Sequence, residues 1–146
     1  MPPTFKHRNL PRLLLQAREA VMLHFRPNLR EQGLTDQQWR VLRVLGEHGN
    51  GGVDTGTVAS EAYLLGPSLS GVLKRMEQSG LVLRERDAQD ARRTLVRATP
   101  KAKRLVNKLA TSIEAHYAAM EQVLGTAQLK QLYKLLDAII ALEARV

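Results

Sequence analysis

Between Lys74 and Lys108 the chain carries eleven lysines or arginines and only four acids, a net of +7, whereas the whole sequence sums to +8. The positive charge is therefore local. Binding a duplex needs a field of this kind, because DNA presents roughly one negative charge per 1.7 Å of its axis. Other chemistries lack their residues. Without cysteine there is no disulfide, thiolate zinc site or cysteine nucleophile. The four histidines are scattered at 7, 24, 48 and 116, with no His-Glu-x-x-His spacing, and the turn from Gly46 to Gly52 lacks the lysine of a phosphate-binding loop. No catalytic set, metal site or cofactor is expected, and an enzyme is not the reading.

The elements that hold these charges are mostly helices. Leu10 to about Arg30 reads as a helix with Leu14, Ala17, Val21 and Phe25 on one stripe, and Pro27 is expected to distort its end. Gly33 breaks the chain. Thr35-Asp36-Gln37-Gln38 is a capping box, with Leu34 and Trp39 placed as a hydrophobic staple around it. The second helix then runs to about Glu47 and buries Trp39, Leu42 and Leu45. His48-Gly49-Asn50-Gly51-Gly52 is a turn and Val53 a short connection. Asp54 or Thr55 caps a third helix through Leu64, with Val58, Ala59 and Ala62 inward.

Gly66-Pro67 suits an N-cap followed by proline at the first helical position of a fourth helix. Its buried stripe is Leu69, Val72, Leu73 and Met76, and Gly80 ends it. Ser68, Gly71 and Arg75 lie on the opposite face, with Ser70 and Lys74 beside them at i, i+4. Leu81 to Arg84 and Thr94 to Arg97 have strand composition and flank a charged turn, which reads as a hairpin. Thr99-Pro100 starts a long fifth helix with Leu105, Leu109, Ile113, Met120 and Leu124 at helical spacing. Gly125-Thr126 breaks it, and a last helix carries Leu129, Leu132, Leu136, Ile139, Ile140 and Leu142. The order defines a mainly α fold with a small two-stranded β-wing, a winged helix-turn-helix. At 146 residues and 44% hydrophobic composition, the chain reads as a single unit with its own core.

In a helix-turn-helix, side chains near the start of the second helix meet base edges in the major groove. Ser68, Ser70 and Gly71 are short enough for close approach, and Lys74 and Arg75 stand where phosphate or guanine contacts are both open to them. The competing reading of Ser68 and Ser70 is a solvated helix start. Arg86, Arg92 and Arg93 load the hairpin turn, whose competing reading is a solvated charged loop.

Val72-Leu73-Lys74-Arg75-Met76-Glu77-Gln78-Ser79-Gly80-Leu81-Val82 resembles the end of the recognition helix in MarR-type regulators. Asp90-Ala91-Arg92 resembles their Asp-x-Arg wing motif, and Ala98-Thr99-Pro100-Lys101-Ala102 resembles the Leu-Thr-x-x-Gly that follows. Ala98 and Ala102 depart from the usual Leu and Gly and leave the Thr99 cap intact. Leu15 to Ala20, Phe25-Arg26-Pro27, Leu34 to Arg40 and Pro67-Ser68-Leu69 are similar to the branch of that family that represses operons for homoprotocatechuate (4-hydroxyphenylacetate) degradation. The likeness covers nearly the whole chain. It implies that Arg92 enters the minor groove, with Asp90 orienting the basic residues.

The resemblance also implies a homodimer. Terminal helices, 10–34 and 100–146, would intertwine and carry a 35–99 winged lobe onto a pseudo-palindromic operator. Trp39 and Arg43 lie at i, i+4, with Arg18 on the preceding helix. Ring contact and guanidinium pairing there suit a small aromatic carboxylate as effector. On residues alone, Trp39 serves equally as core, and Arg18 has Glu19 or a carboxylate of a second copy to pair with. The function expected is transcriptional repression relieved by an aromatic acid. Regulation by another phenolic compound or drug, and non-specific basic DNA binding, are the alternatives. No apolar run approaches the roughly 18 residues of a membrane span, and Met1-Pro2-Pro3-Thr4-Phe5-Lys6 lacks the apolar stretch of a signal peptide. A cytoplasmic location follows as an expectation.

Overall fold

The computed structural model describes residues 1–144; positions 145 and 146, the end of the expected C-terminal dimerisation segment, lie outside the described residues. The elements are α1 (Leu10–Glu31), α2 (Asp36–Glu47), β1 (Val53–Asp54), α3 (Thr55–Ala62), α4 (Gly66–Gln78), β2 (Val82–Arg86), β3 (Thr94–Ala98), α5 (Pro100–Leu124) and α6 (Thr126–Ala141), followed by a 3-10 turn at Leu142–Ala144. Two compact units divide the chain, one of residues 1–110 and one from Thr111 onward.

In the first unit the helix starts follow their caps. Asn9 caps α1 by accepting from the Arg12 amide at 3.1 Å. At α2 both halves of the capping box form. Thr35 Oγ1 accepts from the Gln38 amide at 3.1 Å, and Gln38 Oε1 accepts from the Thr35 amide at 3.2 Å. Asp54 caps α3, and Thr99 Oγ1 accepts from the Ala102 amide at 3.2 Å to start α5. α4 begins one residue earlier than expected: its N-cap is Leu65, which has no side-chain acceptor, so Gly66 and Pro67 both fall inside the first turn. Proline is tolerated there because its missing N–H would have no intrahelical partner.

The stripe expected on α4 is the one that folds inward: Leu69, Val72, Leu73 and Met76 are all buried. Burying each such side chain favours folding by about 1.5–3 kcal/mol. They share the core with Phe25 and Leu29 of α1, Trp39, Val41 and Leu42 of α2, and Val58 of α3. α1 differs from expectation. It runs through Pro27 to Glu31 and buries Met22, Phe25 and Leu29, while Leu14 and Ala17 stay exposed. Periodicity identifies an apolar face, but only the C-terminal half of this one is covered by the chain itself.

Val53 is more than a connection. It forms β1 with Asp54, giving a three-stranded antiparallel sheet in the order β1-β3-β2. Val53 pairs with Val96 on one side of β3, and Arg84 pairs with Val96 on the other. The wing hairpin β2–β3 is thereby fastened to the strand that leads into α3, with Val53, Val82 and Val96 buried. In the second unit α6 has no buried residue, and Leu132, Leu135, Ile139 and Ile140 are exposed.

Replacing Leu73, 1% exposed, by alanine should lower unfolding stability by about 2–5 kcal/mol in a urea titration. Leu83→Ala on β2, 57% exposed, should change it by less than about 0.5 kcal/mol. Equal losses at the two positions would contradict this packing.

Candidate nucleic-acid interface

With the apolar stripe of α4 buried, its polar face is turned to solvent. Ser68, Ser70, Lys74 and Arg75 are exposed and Gly71 is half-buried. A Cβ at Gly71 would sit 3.6 Å from Arg75 Nη1, an ordinary contact. Nothing within the chain therefore requires glycine there, and its smallness matters only to something approaching from outside. One turn later Glu77 is neutralised in place. Arg84 of β2 donates to both its oxygens, at 3.2 and 3.1 Å, which holds Glu77 below the usual carboxylate range and raises Arg84. The acid that follows Lys74 and Arg75 in α4 thus serves as a tie to the wing, and the charges of Lys74 and Arg75 are left to dominate that face.

At the wing tip two adjacent arginines do opposite things. Asp90 Oδ1 accepts from the Arg92 amide at 3.1 Å and from Arg92 Nε at 3.2 Å. The first of these closes a local turn; the second fixes the direction of the guanidinium. The Arg92 side chain remains 92% exposed, so the pair orients the cation without covering it. Asp90 is held below its ordinary value by the Arg92 side chain first, then by the Arg92 amide.

Arg93 turns inward. It donates to Asp54 Oδ2 at 3.2 Å and lies 3.5 Å from Asp87 Oδ2, while its carbonyl accepts from the Asp87 amide at 3.0 Å to close the hairpin. Asp54 in turn accepts from the Thr57 amide and hydroxyl at 3.0 and 2.8 Å. These bonds, the Thr57 amide foremost, keep its carboxyl below the ordinary aspartate value of 3.8. Arg86 is exposed at the end of β2, opposite Thr94.

The second expected site lies on α1 and α2. Trp39 is buried, and the Arg43 guanidinium carbon lies 5.9 Å from its ring centroid, within cation–π range. Arg18 donates to both oxygens of Asp36, at 3.1 and 3.2 Å, and lies 3.6 Å from Glu19. Sequence reasoning missed the rest of this cluster. Arg26 donates to both oxygens of Glu19 at 2.8 and 3.0 Å and lies 3.8 Å from Asp36, and Arg40 Nε is 3.9 Å from Asp36. The Arg26 bonds hold Glu19 below its usual range. Three guanidiniums against two carboxylates leave the cluster net positive. Apart from the adjacent Arg18 and Glu19, its sequence signal is the i, i+4 spacing of Asp36 and Arg40. Beyond it, a cleft of about 270 Å³ opens between α2 and the start of α5. Leu42, Leu45, Ala98, Ala102 and Val106 line it, with Lys103 and Asn50 also on its wall. It is a little smaller than the roughly 300–1,000 Å³ of ordinary ligand pockets.

Among the described residues no group of three or more His, Asp or Glu could hold a metal, and no helix is long and apolar enough to cross a membrane. Two helices joined by a tight turn, the second with an outward polar and basic face, and a charged hairpin behind them define a winged helix-turn-helix of the DNA-reading class.

Similarity to known proteins narrows that class. The MarR family model matches residues 32–93. The HTH-type transcriptional regulator FarR of Neisseria gonorrhoeae is 39% identical over 143 residues, which cover 98% of this chain and 97% of that protein. The homoprotocatechuate degradative operon repressor of Escherichia coli is 41% identical over 136 residues, covering 93% of this chain and 90% of that one. The crystal structure of NadR in complex with 4-hydroxyphenylacetate matches with a TM-score of 0.84 at 39% identity, covering 95% of this chain and 97% of that chain. The chain belongs to the MarR family, and these relatives include a transcriptional regulator and an operon repressor.

Asp54→Ala removes the α3 cap and the anchor of Arg93 together, and should cost about 1 kcal/mol or more in urea unfolding. The carboxyl is depressed in the fold, so its contribution is present above about pH 4 and fades as pH falls through the folded value. Wild type should therefore lose its advantage over Asp54→Ala on acidification below about pH 4. A difference that stays constant down to pH 2 would contradict the assignment.

Proposed function

We propose that the protein is a homodimeric, sequence-specific DNA-binding repressor that lets go of its operator when a small aromatic acid binds. The observation that carries this reading is the division of labour on the DNA-reading face. α4 is buried on one side by four apolar residues and outward on the other with Ser68, Ser70, Lys74 and Arg75, beside a wing whose Arg92 is oriented and uncovered. In this reading the 35–99 lobe binds DNA. Ser68, Ser70, Gly71, Lys74 and Arg75 address the major groove. Arg86 and Arg92 address the backbone and minor groove, and Arg93 holds the wing in position.

Two further features fit a dimer built on segments 10–34 and 100–146. Leu10, Leu14 and Leu15 of α1 are exposed, and so are Leu132, Leu135, Ile139 and Ile140 of α6. A second copy covers such faces at little cost, and its two-fold symmetry pairs two wings with two half-sites about one helical turn apart. The protein then acts in the cytoplasm, where its DNA is.

The effector reading rests on Trp39, Arg43 and Arg18, and on the operon that one relative represses and the 4-hydroxyphenylacetate that another holds. Arg43 is an exposed cation lying over the ring of the buried Trp39, a position from which it can pair with the carboxylate of an arylacetate. Arg18 is held on Asp36 and contributes by exchanging that carboxylate for the ligand's. The ligand switches binding by favouring one spacing of the two recognition helices, and a coupling of about 1–3 kcal/mol suffices.

A labelled duplex selected from a random library, followed by fluorescence anisotropy, tests both halves. Adding 4-hydroxyphenylacetate or homoprotocatechuate should release the DNA, and Arg43→Ala should keep DNA affinity while losing that response. If neither compound changes binding, the effector reading fails and the DNA reading stands. Arg92→Ala should weaken binding by about fivefold to a hundredfold, the loss expected for a groove-reading arginine. Unchanged affinity would remove Arg92 from the interface.

A further inference from the structure

Three helices of the first unit end in the same hydrogen-bond pattern. A buried leucine donates its N–H back five residues: Leu34 to Leu29 at 2.9 Å, Leu64 to Ala59 at 3.0 Å, and Leu81 to Met76 at 2.8 Å. This closure needs the preceding residue in the left-handed region, where glycine alone carries no Cβ penalty. α1 and α4 place Gly33 (φ +71°) and Gly80 (φ +73°) there. α3 places Tyr63, at φ 54° and ψ 49°, the only non-glycine with positive φ among the described residues. Folding alone gives no reason for a tyrosine at that position, since glycine would close the helix with less strain.

The side chain at this strained position is 79% exposed, and Leu65, two residues on, is 80% exposed. In the 35–99 segment the only other exposed large apolar side chain is Leu83, at 57%. Burial of Leu64 between them anchors the turn, and Arg40 Nη1 donates to the Tyr63 carbonyl at 3.4 Å. Both exposed residues sit at the leading end of α4, directly before Ser68 and Ser70. From position 62 to 76 the chain has two cations and no acid. An apolar pair at the entrance of a basic, major-groove helix has one DNA feature to match it. Among base edges in the major groove, the thymine C5-methyl is the apolar one.

We propose that the α3–α4 turn is itself a DNA-contacting element, with Leu65 packed on a thymine methyl and the Tyr63 hydroxyl bonded to a flanking phosphate. The proposal rests on the DNA-binding reading above and assigns it a specificity residue. Tyr63 supplies affinity on any sequence, whereas Leu65 supplies preference for thymine at one position of each half-site.

The test uses the full-length protein and duplexes selected by it from a random library. Uracil in place of thymine removes only the methyl group. At the two symmetric positions read by Leu65 it should weaken wild-type binding by roughly fifteenfold, about fourfold per methyl at each half-site. Leu65→Ala should lose affinity for the thymine duplex and discriminate thymine from uracil by less than about twofold. Tyr63→Gly should raise the melting temperature by about 2–4 °C by relieving the left-handed tyrosine, yet weaken binding to selected and scrambled duplexes alike. A merely structural turn predicts the same stabilisation with no loss of binding. If both variants bind as wild type does and uracil is tolerated at every position, the turn proposal is overturned while the repressor reading stands. If no sequence is enriched by wild type, both fall.

Discussion

The pairing of β3 on both its edges is the constraint on which the reading face depends. A two-stranded wing attached to a helix by its own ends would swing, because an isolated hairpin is marginally stable. Here Val96 lies between Val53 and Arg84, and all three strands bury a valine against the helices. The Thr99 hydroxyl then donates to the Gly80 carbonyl at 2.6 Å and accepts from the Ala102 amide. In one residue it joins the end of α4, the exit of the wing and the start of α5. α4, the wing and the start of α5 are therefore fastened to one another, which is the rigidity that the proposed operator spacing requires.

Charge is handled by the same economy of position. The acids within the basic segment are each committed to a cation: Glu77 to Arg84, Glu85 to Arg97, Asp87 to Arg93 and Asp90 to Arg92. None of these exposed pairs adds much stability by itself. Their effect is directional. Arg84, Arg93 and Arg97 are tied down at the surface by their acids, while Arg92, Lys74 and Arg75 remain directed outward. The net charge of +7 over Lys74 to Lys108 thus becomes a field with a face, carried outward by Lys74, Arg75 and Arg92.

How much of this could be read beforehand depended on the range of the signal. Helix starts with a capping side chain, at Thr35, at Thr99 and at Asp54 (where Thr55 was the alternative), were legible because a cap acts over three residues. The start of α4 shifted to Leu65 because that cap has no side-chain acceptor. β1 escaped because two residues carry no alternation. The stripe on α1 named an apolar face correctly, but no periodicity says which half the chain covers. In the site, Asp90 and Arg92 are two residues apart and formed a recognisable pair. Arg93 finds Asp54 across 39 residues, and Arg18 finds Asp36 across 18, so tertiary structure alone brings those partners together. The αL tyrosine was invisible for a different reason: sequence reading expects glycine at such a turn.

The central claim is that a local positive field supplies affinity while a few outward side chains supply sequence choice. The most direct test compares the salt dependence of binding to a selected duplex and to a scrambled one of equal length. The account expects two lines of similar steep slope in log K against log salt, displaced by at least about a thousandfold in favour of the selected duplex. Coincident lines would mean a non-specific basic binder and would contradict it.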